Sequence, residues 1–389
     1  MRFDTFLDIH HNHINKHGEE LCGDTVRAIK TEAKTVAVLS DGLGSGVKAN
    51  ILATLTAEIV LRMLLEDVPL KDVIETVIGT LPVCQVRKLA YSTFTVIQVR
   101  HEDNSFEVIN CDNPPVVYFR RGRRADLPNQ TESILGKKII FARGRLEIGD
   151  LIGVISDGVL YAGLGKTMNF GWGWDNVANF LEQHFQLHGF GARTLVRAVM
   201  AETNRLYGHV PGDDATVLGL HLRRRNSTII FTGPPLDPAT DEMYVERLLS
   251  FNGRRVVCGG TTANIVGDYL GELVRIDMST LHPEVPPIGY LSEVDLVTEG
   301  ILTMAKALEL LRSSDGVRLG LQDQARTGAH RLAEEILDSD FLYFLVGQKM
   351  NEVHQNPLLP RTISIRRSLV EEMAEFLRRQ NKEVLIEYC

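Results

Sequence analysis

The chain has 389 residues, 44% of them hydrophobic and 24% charged, a balance that predicts a folded globular protein of two domains and excludes wholesale disorder and collagen-like structure. Lysine plus arginine number 42 against 50 aspartate plus glutamate, a net charge of −8. No basic footprint of the kind that phosphate backbones or anionic membranes require is present overall, so neither nucleic acid nor membrane is an expected partner.

In chain order, residues 36–39 are a short apolar run that stops at Ser40-Asp41-Gly42, the pattern of a buried strand entering a tight turn. Val47, Ile51, Leu52, Leu55, Ile59, Val60, Met63 and Leu64 then recur at helical spacing, and a second helix is predicted over 70–81. Period-two alternation predicts strands at 92–100 and 105–109. Pro114-Pro115 leads into a strand at 116–119, a polar stretch covers 120–131, and strands follow at 138–142 and 151–155. Helices at 175–188 and 192–207 and a strand at 215–222 complete the half. Groups of strands with helices between them, without strict alternation, predict an α+β layered sandwich over residues 1–222.

The polar run Arg223-Arg224-Arg225-Asn226-Ser227 is the expected linker. Beyond it, over 228–389, strands at 228–231, 255–257, 273–276, 294–297, 341–346 and 384–387 alternate with helices at 241–251, 262–270, 302–312, 325–337 and 368–380. That order predicts a smaller α/β domain with a largely parallel sheet.

The most apolar helical stretch, 49–65, is interrupted by Glu58 and Arg62, short of the ~20 apolar residues that cross a bilayer. Arg2, Asp4 and Asp8 break up the N-terminus, which lacks a signal-peptide core. A cytoplasmic protein is expected. Cys22, Cys84, Cys111, Cys258 and Cys389 are odd in number and form no CxxC pair, which predicts reduced thiols.

Chemistry is carried by acidic turns in the first half: Gly23-Asp24, Asp41-Gly42-Leu43-Gly44-Ser45-Gly46, Ser156-Asp157-Gly158 and Gly212-Asp213-Asp214-Ala215-Thr216. Each sets an aspartate beside an apolar run, where rigid backbone holds the carboxylate and an adjacent glycine permits close approach. Singly, such a pair is an ordinary turn. Gathered, the carboxylates would repel one another unless a hard divalent cation lay among them, and all-oxygen ligation suits Mg²⁺ or Mn²⁺. Two ions about 3.5 to 4 Å apart can activate a water and neutralise phosphate oxygens.

These motifs in this order resemble the metal-dependent PP2C-like (PPM) serine/threonine phosphatases, and most nearly the bacterial branch typified by the sporulation phosphatase SpoIIE and the regulators of stress sigma factors. Tyr91-Ser92-Thr93, the Asn113-Pro114-Pro115 turn and the Leu146 to Asp150 lead-in are similar to that branch, and the resemblance covers about residues 20–222. It implies two packed antiparallel sheets flanked by helices and two Mn²⁺ or Mg²⁺ ions. By resemblance Asp41 bridges both ions, the Gly42 carbonyl faces one, Asp24 serves the second, and Asp157 and Asp213 serve the first; Asp41, Asp157 and Asp213 carry catalysis. Asp214 is either a conditional ligand or a residue that orients ligands. Two features depart from the family: Leu43 stands where many relatives place a histidine acid, and the phosphate-binding arginine near the N-terminus has no counterpart. The implied activity is hydrolysis of phosphoserine or phosphothreonine in bacterial signalling, by a water bridging two cations. An anti-sigma-factor antagonist is the implied phosphoprotein substrate.

Other readings stay open. The first half could be a weak or inactive scaffold for a C-terminal domain that binds a ligand or partner, or the chain could hydrolyse a small phosphorylated metabolite. A homodimer is also left open. Gly163-Leu164-Gly165-Lys166-Thr167 ends like a phosphate-binding loop, but Leu160 stands where that loop needs its first glycine. His10, His11, His13 and His17 form a cluster in which His13 and His17 would share a face if the segment were helical; it is either a transition-metal site or, as the absence of a cysteine or carboxylate partner set favours, a solvated or interface cluster. Cys258-Gly259-Gly260-Thr261-Thr262 predicts a strand, a turn and a helix start, where Gly259, Gly260, Thr261 and Thr262 provide either an anion site or ordinary capping. Thr298-Glu299-Gly300 would form the other side of the crevice.

Overall fold

The computed structural model describes residues 5–80, 92–134, 136–313, 327–349, 365–380 and 382–389. The ends of the helices expected at 70–81 and 325–337, together with Cys84 and Tyr91, lie outside them. The chain divides into two compact units, Met1–Arg224 and Arg225–Cys389. Among the described residues, no helix is long and apolar enough to cross a membrane.

The first unit runs β1 (Thr5–Ile14), β2 (Asp24–Lys30), β3 (Lys34–Asp41), α1 (Gly46–Leu65), α2 (Leu70–Thr80), β4 (Thr93–Arg100), β5 (Ser105–Cys111), β6 (Val117–Arg120), β7 (Arg123–Arg124) and β8 (Asn129–Ile134). It continues with β9 (Lys137–Arg145), β10 (Asp150–Ile155), α3 (Asp157–Leu160), α4 (Trp174–His188), α5 (Ala192–Leu206) and β11 (Ala215–Arg224). The strands form two antiparallel sheets, ordered β1-β11-β10-β6-β7 and β2-β3-β4-β5-β9-β8. Alternation along the strands sets the layers. On β3, Ala37 and Leu39 join Ile97, Ile152, Val154, Leu218 and Leu220 in the core between the sheets. Val36 and Val38 point the other way and pack with Ala57, Val60, Leu61, Val73 and Val77 of α1 and α2. The outer face of the other sheet, with Phe119, Leu151 and Val217, packs beneath Val177, Leu181, Leu195 and Val199 of α4 and α5. The result is the expected α+β sandwich flanked by helices.

The histidine-rich N-terminus is a strand: β1 pairs with β11 along its whole length, from Thr5 opposite Arg224 to Ile14 opposite Ala215. Two expectations are corrected. The polar stretch 120–131 contains β7 and the start of β8. The five-residue linker shrinks to Arg225 and Asn226, because β11 runs through Arg224 and the next strand begins at Ser227; ladder hydrogen bonds extend a strand past the point where its side chains turn polar.

The second unit contains β12 (Ser227–Thr232), α6 (Asp241–Leu249), β13 (Arg254–Cys258), α7 (Gly260–Leu270), β14 (Arg275–Asp277), β15 (Ile288–Tyr290) and β16 (Leu296–Thr298). After these come α8 (Ile301–Ser313), α9 (Gly328–Asp338), β17 (Phe341–Val346), α10 (Ile365–Arg379) and β18 (Glu383–Tyr388). The sheet order is β14-β15-β16-β13-β12-β17-β18. From β16 to β18 every pairing is parallel, and β15 and β14 add an antiparallel edge. One face packs on Met304, Leu308, Leu332, Ile336, Met373 and Leu377 of α8, α9 and α10; the other packs on Val245, Leu248, Ala263 and Val266 of α6 and α7.

Candidate metal centre

Register brings the first two acidic turns together. Strands β2 and β3 pair antiparallel so that Asp24, the first residue of β2, lies opposite Asp41, the last of β3. The other two turns meet at the other sheet. Asp157 follows β10 and Asp213-Asp214 precede β11, where the Thr216 N–H donates to Ser156 Oγ at 2.9 Å and the Ser156 N–H to the Thr216 carbonyl at 3.0 Å.

The glycines beside the aspartates are dictated by crowding. A Cβ on Gly42 would stand 2.1 Å from the Ala49 carbonyl oxygen in α1, and one on Gly158 would stand 1.9 Å from the Asp214 carbonyl oxygen. Side chains do not fit where these backbones cross. The Gly42 N–H donates to the Gly23 carbonyl at 3.2 Å, tying the turn after β3 to the residue before Asp24.

Asp24 and Asp214 are 5% and 4% exposed. Asp214 Oδ1 accepts the Lys16 N–H at 3.0 Å, and Asp213 Oδ1 accepts the Asp214 N–H at 3.1 Å. The second oxygens of Asp24 and Asp214 are buried without a hydrogen-bond partner. Buried carboxylate oxygens are normally satisfied, so two orphans at one place call for an explanation. Burial pushes the Asp24 carboxyl up to about 6, opposed by the Thr216 and Ser156 hydroxyls and reinforced by Asp214 and Asp157. Asp41 is pushed up to about 10 by burial and then by the charges of Asp24 and Asp157; its carboxyl also donates to that of Asp157, with Asp213 adding to the repulsion. Burial and then Asp157 also raise Asp213.

All five aspartates are therefore placed at one end of the sandwich, linked by register, hydrogen bonds and mutual charge. Among the described residues, however, no three His, Cys, Asp or Glu side chains group tightly enough to hold one ion between them. The donor set fits a hard divalent cation on chemistry: it is all oxygen, two of its oxygens are orphaned, and its repulsion is of the kind such an ion relieves.

Supporting residues went unnoticed in the sequence. Ser156 and Thr216 sit inside the acidic motifs and could have been marked as hydroxyl partners. The Tyr207 hydroxyl, which donates to the Gly158 carbonyl at 2.7 Å, carries no local signal at all. The remaining candidates lie elsewhere. His10, His11 and His13 are on β1, and the Arg193 Nε–H donates to His10 Nε2 at 3.1 Å. In the 163–167 segment the amides of Lys166, Thr167 and Met168 all donate to the Gly163 carbonyl at 3.0 Å, which turns them away from any phosphate. Gly259 caps α7, and Gly260, Thr261 and Thr262 form its first turn in the second unit.

With this geometry in place, the family comparison is decisive. Residues 31–223 match the model of the family described as Stage II sporulation protein E (SpoIIE). The first unit is a SpoIIE-type PP2C-like (PPM) phosphatase domain. The match takes in Asp41, Asp157, Asp213 and Asp214, while Asp24 precedes it. Among solved structures, the chain is similar to the PP2C phosphatase domain of SpoIIE with a fragment of its regulatory domain from Bacillus subtilis, at 19% identity and TM-score 0.48, covering 57% of this chain and 64% of that one. The chain thus spans less than two thirds of that structure. The RsbU and RsbW domains of Rv1364c from Mycobacterium tuberculosis are similar at 18% identity and TM-score 0.44, over 62% of this chain and 68% of that one. RsbX in complex with magnesium is similar at 18% identity and TM-score 0.40, over 56% and 95%. No curated protein matches the chain. The SpoIIE family is one of metal-dependent phosphatases, in keeping with the oxygen-only donors of this domain.

Proposed function

We propose that the SpoIIE-type domain is a protein serine/threonine phosphatase that uses two Mn²⁺ or Mg²⁺ ions to hydrolyse phosphoserine and phosphothreonine without a covalent phosphoenzyme. The observation that carries this reading is the opposition of Asp24 and Asp41 across β2 and β3, with orphaned oxygens on Asp24 and Asp214, in a domain of this family. When bound, the ions supply charge neutralisation at the phosphoryl oxygens and an activated water.

The chain's own residues then divide the work. Asp41, opposite Asp24 across β2 and β3, would serve both ions. Asp157 and Asp213 would hold one ion and Asp24 the other, with the Gly42 carbonyl as a further oxygen donor. Asp214, held at one oxygen by the Lys16 N–H, either orients its neighbours or lends its free oxygen. Leu43 can hold no proton, so the leaving hydroxyl takes its proton from solvent. A phosphorylated bacterial signalling protein, such as an anti-sigma-factor antagonist, is the proposed substrate, with the second unit in a regulatory role.

The test is phosphate release from a phosphoserine peptide, with and without manganese, by the wild type and Asp157→Asn. Removing this ligand is expected to lower the rate more than about 100-fold, on the scale of losing one charge-stabilising group, while circular dichroism stays unchanged. A folded Asp157→Asn protein that keeps the wild-type rate refutes the assignment, and a free-metabolite panel hydrolysed as fast as the phosphopeptide refutes the substrate class.

A further inference from the structure

In the second unit β12 is the central parallel strand, with β13 and β16 on one side and β17 and β18 on the other. Sheet-building thus reverses direction between β12 and β17, and the five parallel strands end along one edge. In open parallel sheets, ligands sit at that carboxyl edge, beside the reversal. A glycine follows four of these ends: Gly233, Gly259, Gly300 and Gly347. At the reversal itself the backbone closes the edge. A Cβ on Gly347 would stand 2.2 Å from the Gly233 carbonyl oxygen, and the Gly347 N–H donates to the Thr232 carbonyl at 2.9 Å. The Gly259 and Gly300 turns also touch, a Cβ on Gly300 lying 3.4 Å from Gly259 Cα. Gly260 differs, because a Cβ there would meet nothing within 4 Å. The edge is closed at the reversal and open over the first turn of α7.

Polar groups line that edge. The first-turn N–H groups of an 11-residue helix lack intrahelical acceptors and form the positive end of its dipole. Thr262 is wholly buried, its hydroxyl has no hydrogen-bond partner, and Oγ1 lies 3.4 Å from the Cβ position of Gly259. It is aimed back into the turn. The Thr232 hydroxyl at the end of β12 is likewise buried and unpartnered. Arg366, in the first turn of α10, lies over Gly233 in the space a side chain there would need and donates to the Gly347 carbonyl at 2.9 Å. Burial pushes the ionisation of Arg366 down and the charge of Glu299 holds it up. Glu299 is engaged at α8, where its Oε2 accepts the Leu302 N–H at 3.1 Å.

A guanidinium, a helix N-terminus and unpaired hydroxyls together select an anion rich in acceptor oxygens. The donors match a single phosphate better than a pyrophosphate. The first strand is followed by Gly233-Pro234-Pro235, which lacks two backbone donors where a dinucleotide loop would place them. We propose that this edge binds a phosphate-bearing small molecule, with its phosphate seated on the Gly260 end of α7 where Thr262 lies, and with the Arg366 guanidinium supplying positive charge farther along the same edge.

Calorimetric titration of the full chain with inorganic phosphate and with AMP tests this, in EDTA so that metal-dependent phosphate binding by the first unit does not contribute. Saturable one-site binding of at least one probe is expected. AMP more than about 10-fold tighter identifies a nucleotide, and equal affinities identify free phosphate. Gly260→Leu places its Cβ in open space, with nothing within 4 Å, and is expected to weaken binding at least 10-fold, as is Arg366→Gln. Should Arg366→Gln fail to fold, Gly260→Leu carries the test alone. Absence of saturable binding by both probes, or binding unchanged in Gly260→Leu, overturns the proposal.

Discussion

Asp24→Asn tests most directly whether a buried, unneutralised charge at the acidic end destabilises the first unit. Asp24 is 5% exposed, one of its oxygens is orphaned, and its carboxyl is raised from 3.8 to about 6, chiefly by burial. Such a rise corresponds to about 3 kcal/mol. A carboxyl raised in the folded state contributes its stability fully below its unfolded value and loses it as the pH climbs through the folded one. In EDTA the wild type is therefore expected to lose about 3 kcal/mol from this group between about pH 4 and pH 7. Asparagine has no charge to desolvate, so the variant should match the wild type near pH 4 and exceed it by about 1 to 3 kcal/mol at pH 8. At about 2 to 4 °C per kcal/mol for a unit of this size, the melting temperature at pH 8 should rise by about 2 to 12 °C in differential scanning calorimetry. Manganese should stabilise the variant less than the wild type. An Asp24→Asn protein that melts at or below the wild type at pH 8 in EDTA refutes the cost assigned to this buried charge, and with it the reason for placing a cation beside it.

Other substitutions probe the surrounding structure. Gly158→Ala drives a Cβ to 1.9 Å from the Asp214 carbonyl and should cost about 1 to 3 kcal/mol in urea titration. Gly79→Ala in α2, where a Cβ meets nothing within 4 Å, should instead stabilise by about 0.5 to 1 kcal/mol. Asp150, wholly buried, accepts the Tyr118 hydroxyl at 2.7 Å, the Arg120 NH2 at 3.1 Å and the Glu147 N–H at 2.9 Å. Asp150→Ala should cost about 2 to 3 kcal/mol by chemical denaturation. Asp175→Ala, whose ion pair with Arg124 is largely in water, should cost less than about 0.5 kcal/mol by the same measurement.

The strands of the first unit that alternation predicts are β3, β4, β5, β6, β9, β10 and β11, and each has a neighbour on both sides. Those it misses, β1, β2, β7 and β8, are the four sheet edges. An interior strand buries alternate residues against two layers and shows it in composition, whereas an edge strand is held by one ladder and carries polar residues that discourage further pairing. Thr5–Ile14 contains three histidines and an asparagine yet pairs without interruption to β11. β15 is missed for a different reason: it is paired on both sides, but its 3 residues are too few to show a period.

Read alone, the amino-acid order determined the interior strands, the main helices, the change to a parallel α/β pattern in the second half, and the existence of acidic glycine turns. Each of these is written in neighbouring residues. Tertiary structure alone decided that Asp24 faces Asp41, that one oxygen of Asp214 is buried without a partner, and that Arg366 lies over the turn after β12. Register and burial are set by pairing between segments far apart in the chain, and periodicity within a segment holds no record of which partner it will meet.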